Sequence, residues 1–282
     1  MNEIPLQYQE AVDTYEPIEF EGITLFPIRV REYRLFNNAR PAIDFLQQSL
    51  PVRYLSMPLL SAFYAMDTEN LKEGNPSDGL FYRALLFLAL AMRLGEGENL
   101  EERIGQFQIV ADAKDQSVLK GVEFQQNGEV QRITPVQFQR LRPILAAQNG
   151  ITLVSTDANP ELVEAERDLA EMNGPELDYN FQTLLSTLSV LSGTRERDLY
   201  DWPILQMTRY RDAYSRVLQF LICGIASASG AKFKGGNPVP SPFFNRLERD
   251  SDSLIDMGTF TGGKQVSVSE TAPPIPAGPT QS

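Results

Sequence analysis

Hydrophobic and polar residues alternate loosely over residues 18–28, on either side of Gly22. This alternation predicts a short hairpin, which leads into a helix near residues 30–37. Further along the chain, residues 79–94 are apolar nearly all round a helical projection. A helix with that pattern has no polar face to turn toward water, so we expect it at the centre of the core.

Two prolines punctuate the segment between these elements. Pro51 and Pro58 each fit the first turn of a helix better than a helix interior, because proline has no main-chain N–H to donate. They predict two short helices with a kink between them, at residues 51–57 and 58–66.

The dipeptide Asn-Gly at residues 127–128 is a strong signal for a two-residue hairpin turn. The turn sets the strand register, and counting outward from it gives one apolar pair and one pair of opposite charge. We therefore expect an inserted β-hairpin module at about residues 105–134. The predicted pairs are Val122 with Ile133 and Glu123 with Arg132.

A capping box is predicted immediately after this module. Thr134 precedes Pro135, and Gln137 follows three positions after the threonine. The helix that starts here should bend or break near Pro143 and end at residues 149–150. Its inward side chains should be Phe138, Leu141 and Leu145.

Four more helices are predicted before the chain changes character. The first, at residues 159–173, is strongly acidic; the second, at 181–191, is closed by Gly193, and Thr194 can cap a short helix after it. The last long helix begins near residues 201–203 and carries one apolar stripe. The members of that stripe are Met207, Tyr210, Tyr214, Val217, Leu218, Leu221 and Ile225.

These patterns define a mainly α (α+β) fold. We expect a flexible N-terminus at residues 1–17 and a helical domain at residues 18–234, with its short N-terminal hairpin and the inserted β module. Residues 235–282 contain 7 prolines and 6 glycines among 48 residues, which predicts a disordered C-terminal tail.

Charge and composition narrow the classes of function. The formal net charge is −12, which disfavours nucleic acid and anionic membranes as partners. Histidine is absent, so the commonest general base and metal ligand is missing from the chain. We predict that the protein is not an enzyme and binds no cofactor or metal. Residues 1–10 show neither a basic start nor an apolar stretch, so we expect no secretory signal and a cytoplasmic location.

Three features could carry chemistry, and each has a simpler interpretation. A sequence near Lys264 nearly matches a phosphate-binding loop, but Gln265 replaces the required Ser or Thr and no helix is predicted to follow. Asp112 and Asp115 could in principle act as paired carboxylates, although a solvated loop is the simpler interpretation. Cys223 lies in an apolar run and is expected to be an inert core residue.

Aromatic and proline residues are the best candidates for binding another protein. Trp202, the only tryptophan, stands at a helix start, where the core is favoured and presentation to a partner remains open. Prolines pre-extend the backbone and aromatic rings act as anchors, so a segment of the tail could dock either on its own domain or on a partner. Its candidate residues are Pro238, Pro240, Pro242, Phe243 and Phe244.

The order of these segments resembles tail assembly chaperones of long-tailed bacteriophages and prophages of Gram-positive hosts. The resemblance is carried by residues 20–33, 50–67, 133–150, 201–203 and 237–243, and it covers roughly residues 18–247.

This resemblance implies a helical protein of the host cytoplasm that coats the tape-measure protein until tail-tube subunits replace it. The implied partners are therefore tape-measure protein and, in a second role, tail-tube protein, with homo-oligomerisation left open. The family often makes a longer form by ribosomal frameshifting. Two alternatives remain: a structural tail component such as a connector or baseplate protein, and, more distantly, an enzyme that uses carboxylates and a metal.

Overall fold

The computed structural model describes residues 4–74, 79–95, 99–153 and 180–232. Within these ranges the chain is mainly helical with two small antiparallel sheets, which confirms the predicted fold class. The predicted acidic helix at 159–173 and the predicted tail at 235–282 lie outside the described residues.

The elements of the described chain follow in sequence order. The strands are β1 (Ile18–Phe20), β2 (Ile23–Leu25), β3 (Gln108–Ala111), β4 (Leu119–Gln126) and β5 (Glu129–Ile133). Single 3-10 turns occupy Val30–Glu32, Arg40–Ala42, Gln47–Ser49 and Val52–Tyr54. The α-helices are α1 (Leu6–Thr14), α2 (Tyr33–Ala39), α3 (Leu59–Glu73), α4 (Leu80–Met92), α5 (Leu100–Ile104), α6 (Pro135–Gln148), α7 (Phe181–Ser192), α8 (Glu196–Leu199) and α9 (Ile204–Ala228).

The chain divides into two compact units, residues 1–219 and 220–282. The boundary falls inside α9, earlier in the chain than the change to a Pro/Gly-rich composition at residue 235. The first fifteen or so residues of α9 therefore belong with the rest of the helical fold, and its last turns belong to the second unit.

A helix occupies part of the N-terminal segment for which we predicted flexibility. Within residues 1–17, α1 forms and buries Val12, while Tyr15 ends the helix in the left-handed conformation. Arg209 of α9 donates to the Asp13 carboxylate at 2.7 Å. The sequence did not predict α1, because its single buried side chain is too weak a pattern to read.

The predicted hairpin forms between β1 and β2, with Ile18 opposite Leu25. The buried side chain of Gln126 joins this hairpin to the β module. It makes hydrogen bonds to the main chain of β2, as a neighbouring strand would. The Gln126 Oε1 accepts from the Thr24 N–H at 2.9 Å, and its Nε2 donates to the Thr24 carbonyl at 2.8 Å. Both main-chain groups of Thr24, which are partly buried, are thereby satisfied.

The central helix α4 is the core of the first unit, as predicted. Apart from Tyr82 and Arg83, its residues are buried. A buried carboxylate from α3 supports its start, because Asp67 accepts from the N–H of Phe81 at 2.9 Å. The region before α4 differs from expectation, because only a 3-10 turn forms at Val52–Tyr54. The helix after Pro58 is longer than predicted: it ends at Glu73 and is capped by Gly74.

The β module and its register confirm the prediction from the Asn-Gly turn. Strands β3, β4 and β5 form one antiparallel sheet in that order, with Val122 opposite Ile133 and Glu123 opposite Arg132. The capping box at Thr134 and Gln137 is also present.

The predicted bend or break at Pro143 is wrong as far as a break is concerned, because α6 continues through it to Gln148. A proline inside a helix removes one hydrogen bond. The fully buried side chains of Phe138, Leu141 and Leu145 keep the helix packed on both sides of that position.

Candidate functional site

Trp202 lies where the chain enters α9, and main-chain hydrogen bonds fix its position. Its carbonyl accepts from the Val30 N–H at 2.8 Å, and the Ile204 N–H donates to the Ile28 carbonyl at 2.9 Å. The segment before α9 is thus held against the segment after β2, as a short antiparallel bridge. The Trp202 side chain is half-buried and packs partly against the core, so it is neither fully interior nor free.

An aromatic row runs from Trp202 along α9. The Trp202 and Tyr210 ring centroids are 4.8 Å apart, and those of Tyr210 and Tyr214 are 6.3 Å apart. Tyr210 and Tyr214 lie four residues apart on one face of the helix. The row leads from the half-buried start of α9 toward the part of the helix where apolar side chains meet solvent.

Helix α7 lies beside this part of α9. Its start is fixed by Phe181, whose ring stacks on Tyr33 of α2 at a centroid distance of 4.2 Å. Its buried face carries Leu185 and Leu188, and Gly193 ends it in the left-handed conformation, as predicted. The predicted cap at Thr194 is wrong: Arg195 precedes α8 and makes no side-chain cap, while the Thr194 carbonyl accepts from Ser189 of α7.

Large apolar side chains at the end of α7 and the middle of α9 remain exposed to solvent. Val190 is 82% exposed, and the other four are 39–48% exposed. Full burial of one large aliphatic side chain contributes about 1.5–3 kcal/mol, so covering this set supplies several kcal/mol toward binding. We call the set the α7–α9 surface: Val190, Leu191, Tyr210, Val217 and Leu218.

Most of the apolar stripe predicted for α9 is not buried. The sequence places seven apolar residues on one face of α9, yet of the residues of this helix only Ile204, Leu205 and Met207 are buried. Val190 was not among the predicted binding residues, because it lies away from the buried face of α7 that Leu185 and Leu188 mark. An apolar residue on the polar side of an amphipathic helix is the signal that could have found it.

In the second unit, the described residues 220–232 also expose large apolar side chains to solvent. Leu221, Ile222 and Ile225 are 51%, 65% and 68% exposed. Cys223 is partly exposed, so its assignment to the core is wrong. The predicted binding residues Pro238, Pro240, Pro242, Phe243 and Phe244, and the loop at Lys264, lie outside the described residues.

The acidic pair at residues 112 and 115 holds a turn between β3 and β4. The Asp112 carboxylate accepts from the main-chain N–H of Lys114 and pairs with Lys120, and these contacts lower its pKa. Hydrogen bonds from the side chain and then the main chain of Ser117 lower the pKa of Asp115. Each carboxylate is therefore engaged by donors of its own loop, and across the described ranges no three acidic or cysteine side chains are grouped to hold a metal ion.

Comparison of the chain with protein-family profiles, with curated proteins and with solved structures finds no match in any of the three. Among the described helices, none is both long and apolar enough to cross a membrane. The α7–α9 surface combines four exposed aliphatic side chains with the exposed ring of Tyr210.

Proposed function

We propose that this chain is a tail assembly chaperone that binds tape-measure protein in the host cytoplasm, and that the α7–α9 surface is where it holds an apolar helical segment of that client. The single observation that carries the proposal is the exposure of five large apolar side chains at adjoining parts of two helices. The resemblance in the order of sequence segments supplies the identity of the client.

The geometry suits a helical client. An amphipathic helix binds by placing side chains spaced three and four residues apart into the space beside another helix. The Tyr214 hydroxyl joins α9 to the end of α7 by a hydrogen bond of 3.0 Å to Leu191, so the two helices offer one pre-organised surface. Pre-organisation lowers the entropy that binding costs.

The charge of the protein suits the same role. A chain of net charge −12 repels other copies of the complex and keeps it dispersed, while the apolar surface itself stays uncharged. Tail-tube protein is the second proposed partner, because it must eventually displace the chaperone from its client.

The test is co-expression of the full chain with the tape-measure protein of the same genome, followed by measurement of the soluble fraction of tape-measure protein. The informative variant is the double change Val190→Glu with Val217→Glu, and the matched control is Val136→Glu. Val136 is 60% exposed on α6 and so receives the same substitution away from the surface.

We expect wild type and the control to raise the soluble fraction and the double variant to lose that effect. Equal performance of the double variant and the control would overturn the assignment of the surface. If wild type gives no increase, and the chain is found in purified virions, a structural connector or baseplate protein replaces the chaperone as the better explanation.

A further inference from the structure

The last turns of α9 carry apolar side chains that face solvent. Leu221, Ile222 and Ile225 are each more than half exposed, and exposure rises toward the end of the helix. These residues belong to the second unit of the chain, whereas the α7–α9 surface belongs to the first. They therefore require an explanation of their own.

The spacing of these side chains is that of a helix-pairing seam. Leu221, Ile225 and Ala228 follow one another at intervals of four and three residues. This is the alternation of the two core positions in a heptad, which brings the seam of one helix against a neighbouring helix. Ile222 lies beside the seam and widens its apolar face.

The distribution of charge along the chain favours a second copy of this protein as the partner of the seam. No charged residue occurs between Arg216 and Lys232, although the whole chain has a net charge of −12. Two copies of so acidic a protein repel each other over most of their surfaces. At this end of α9 they can approach without bringing like charges together, and an apolar seam is complementary to itself.

We propose that two copies of this chain associate through the C-terminal part of α9, with Leu221, Ile222 and Ile225 packed against the same residues of the second copy. The interface is isologous, as two-fold dimers require. The seam is short, so the association is weak and depends on protein concentration. This inference does not rest on the proposed client, because the two surfaces use different residues.

The test is sedimentation velocity of the full chain across a wide concentration range. The informative variant is Ile225→Glu, which places a charge in the seam. The matched control is Ser227→Glu, which adds the same charge to an exposed position of the same helix about 200° around it. Circular dichroism of both variants establishes that the helix content is unchanged.

We expect wild type and Ser227→Glu to show the same concentration-dependent dimer, and Ile225→Glu to weaken it at least about tenfold. Val190→Glu should dimerise like wild type, which separates this surface from the one proposed for the client. The proposal fails if wild type remains a monomer throughout, or if Ile225→Glu and Ser227→Glu dimerise equally. If the seam binds tape-measure protein and not a second copy, wild type will remain a monomer at every concentration. Its complex with tape-measure protein will then be weakened by Ile225→Glu, and the dimer proposal fails.

Discussion

The Tyr214 hydroxyl donates a hydrogen bond of 3.0 Å to the main-chain carbonyl of Leu191. This contact connects the middle of α9 to the end of α7 across more than twenty residues of sequence. Because Leu191 is near the last turn of α7, its carbonyl has no partner within its own helix. The hydroxyl therefore satisfies a helix end and at the same time orients the two helices that carry the exposed apolar side chains.

Tyr214→Phe removes this hydrogen bond and keeps the ring. We expect a loss of about 0.5–1.5 kcal/mol in the free energy of unfolding, measured by urea denaturation, and weaker binding of a client at the α7–α9 surface. Tyr210→Phe is the matched control for the stability measurement alone, since its hydroxyl makes no hydrogen bond to the described residues and its ring remains beside Trp202. Equal effects of the two substitutions would show that the Leu191 contact does not join the helices.

Gln126→Ala tests the connection between the first hairpin and the β module. Removing this side chain leaves the N–H and carbonyl of Thr24 without their partners, and each unsatisfied buried group costs about 1–3 kcal/mol. We expect a clear fall in the midpoint of urea denaturation. Gln125→Ala changes the neighbouring residue on the exposed face of β4 and should be close to neutral. A neutral Gln126→Ala would mean that water replaces the amide without cost.

Thr134→Ala tests the capping box of α6. The Thr134 hydroxyl accepts from the Gln137 N–H, and the Gln137 side chain accepts from the Thr134 N–H at 2.9 Å. Loss of an N-cap typically costs about 1 kcal/mol, and we expect that loss in thermal or chemical denaturation. Thr134→Ser keeps the hydroxyl and should recover most of the stability. If serine is as damaging as alanine, the lost contact is the methyl group and not the cap.

The capping box and the β4–β5 register could both be predicted because their causes are local. Asn127 and Gly128 adopt the positive φ angles that a two-residue turn needs, and the pairs outward from it follow by counting. Thr134 and Gln137 reach each other within one helical turn. In such cases the residues that determine the structure are adjacent in sequence, so no knowledge of the rest of the fold is required.

The candidate site could be predicted only in part, because exposure depends on distant packing. Periodicity correctly places Tyr210, Val217 and Leu218 on one apolar face of α9, but the same pattern describes a buried stripe and an exposed one. Similarly, Pro143 predicts a bend or break by its local chemistry, yet α6 does not break there, and its side chains on either side of Pro143 are buried. For Trp202 the sequence left two outcomes open, packing in the core and presentation to a partner. The side chain is half-buried: it packs partly against the core, and its ring lies near Tyr210.

The turn between β3 and β4 contributes stability that is lost at acid pH. The pKa of Asp112 is lowered first by the hydrogen bond from the Lys114 N–H and then by Lys120, whose Nζ lies 3.0 Å from the carboxylate. A carboxylate with a lowered pKa in the folded state stabilises the fold at pH values above the pKa of the unfolded chain, about 3.9. That contribution is lost as pH falls through the lower, folded value.

Asp112→Asn should therefore reduce the melting temperature at neutral pH, with the difference from wild type shrinking as pH falls below about 3.9. Lys120→Met separates the two causes: it removes the ion pair and leaves the Lys114 N–H in place. Because the main-chain hydrogen bond is the larger cause, the pKa of Asp112 in Lys120→Met, followed by carboxyl NMR titration, should rise only part of the way to its ordinary value. A complete return would show that Lys120, and not the turn geometry, holds the carboxylate ionised.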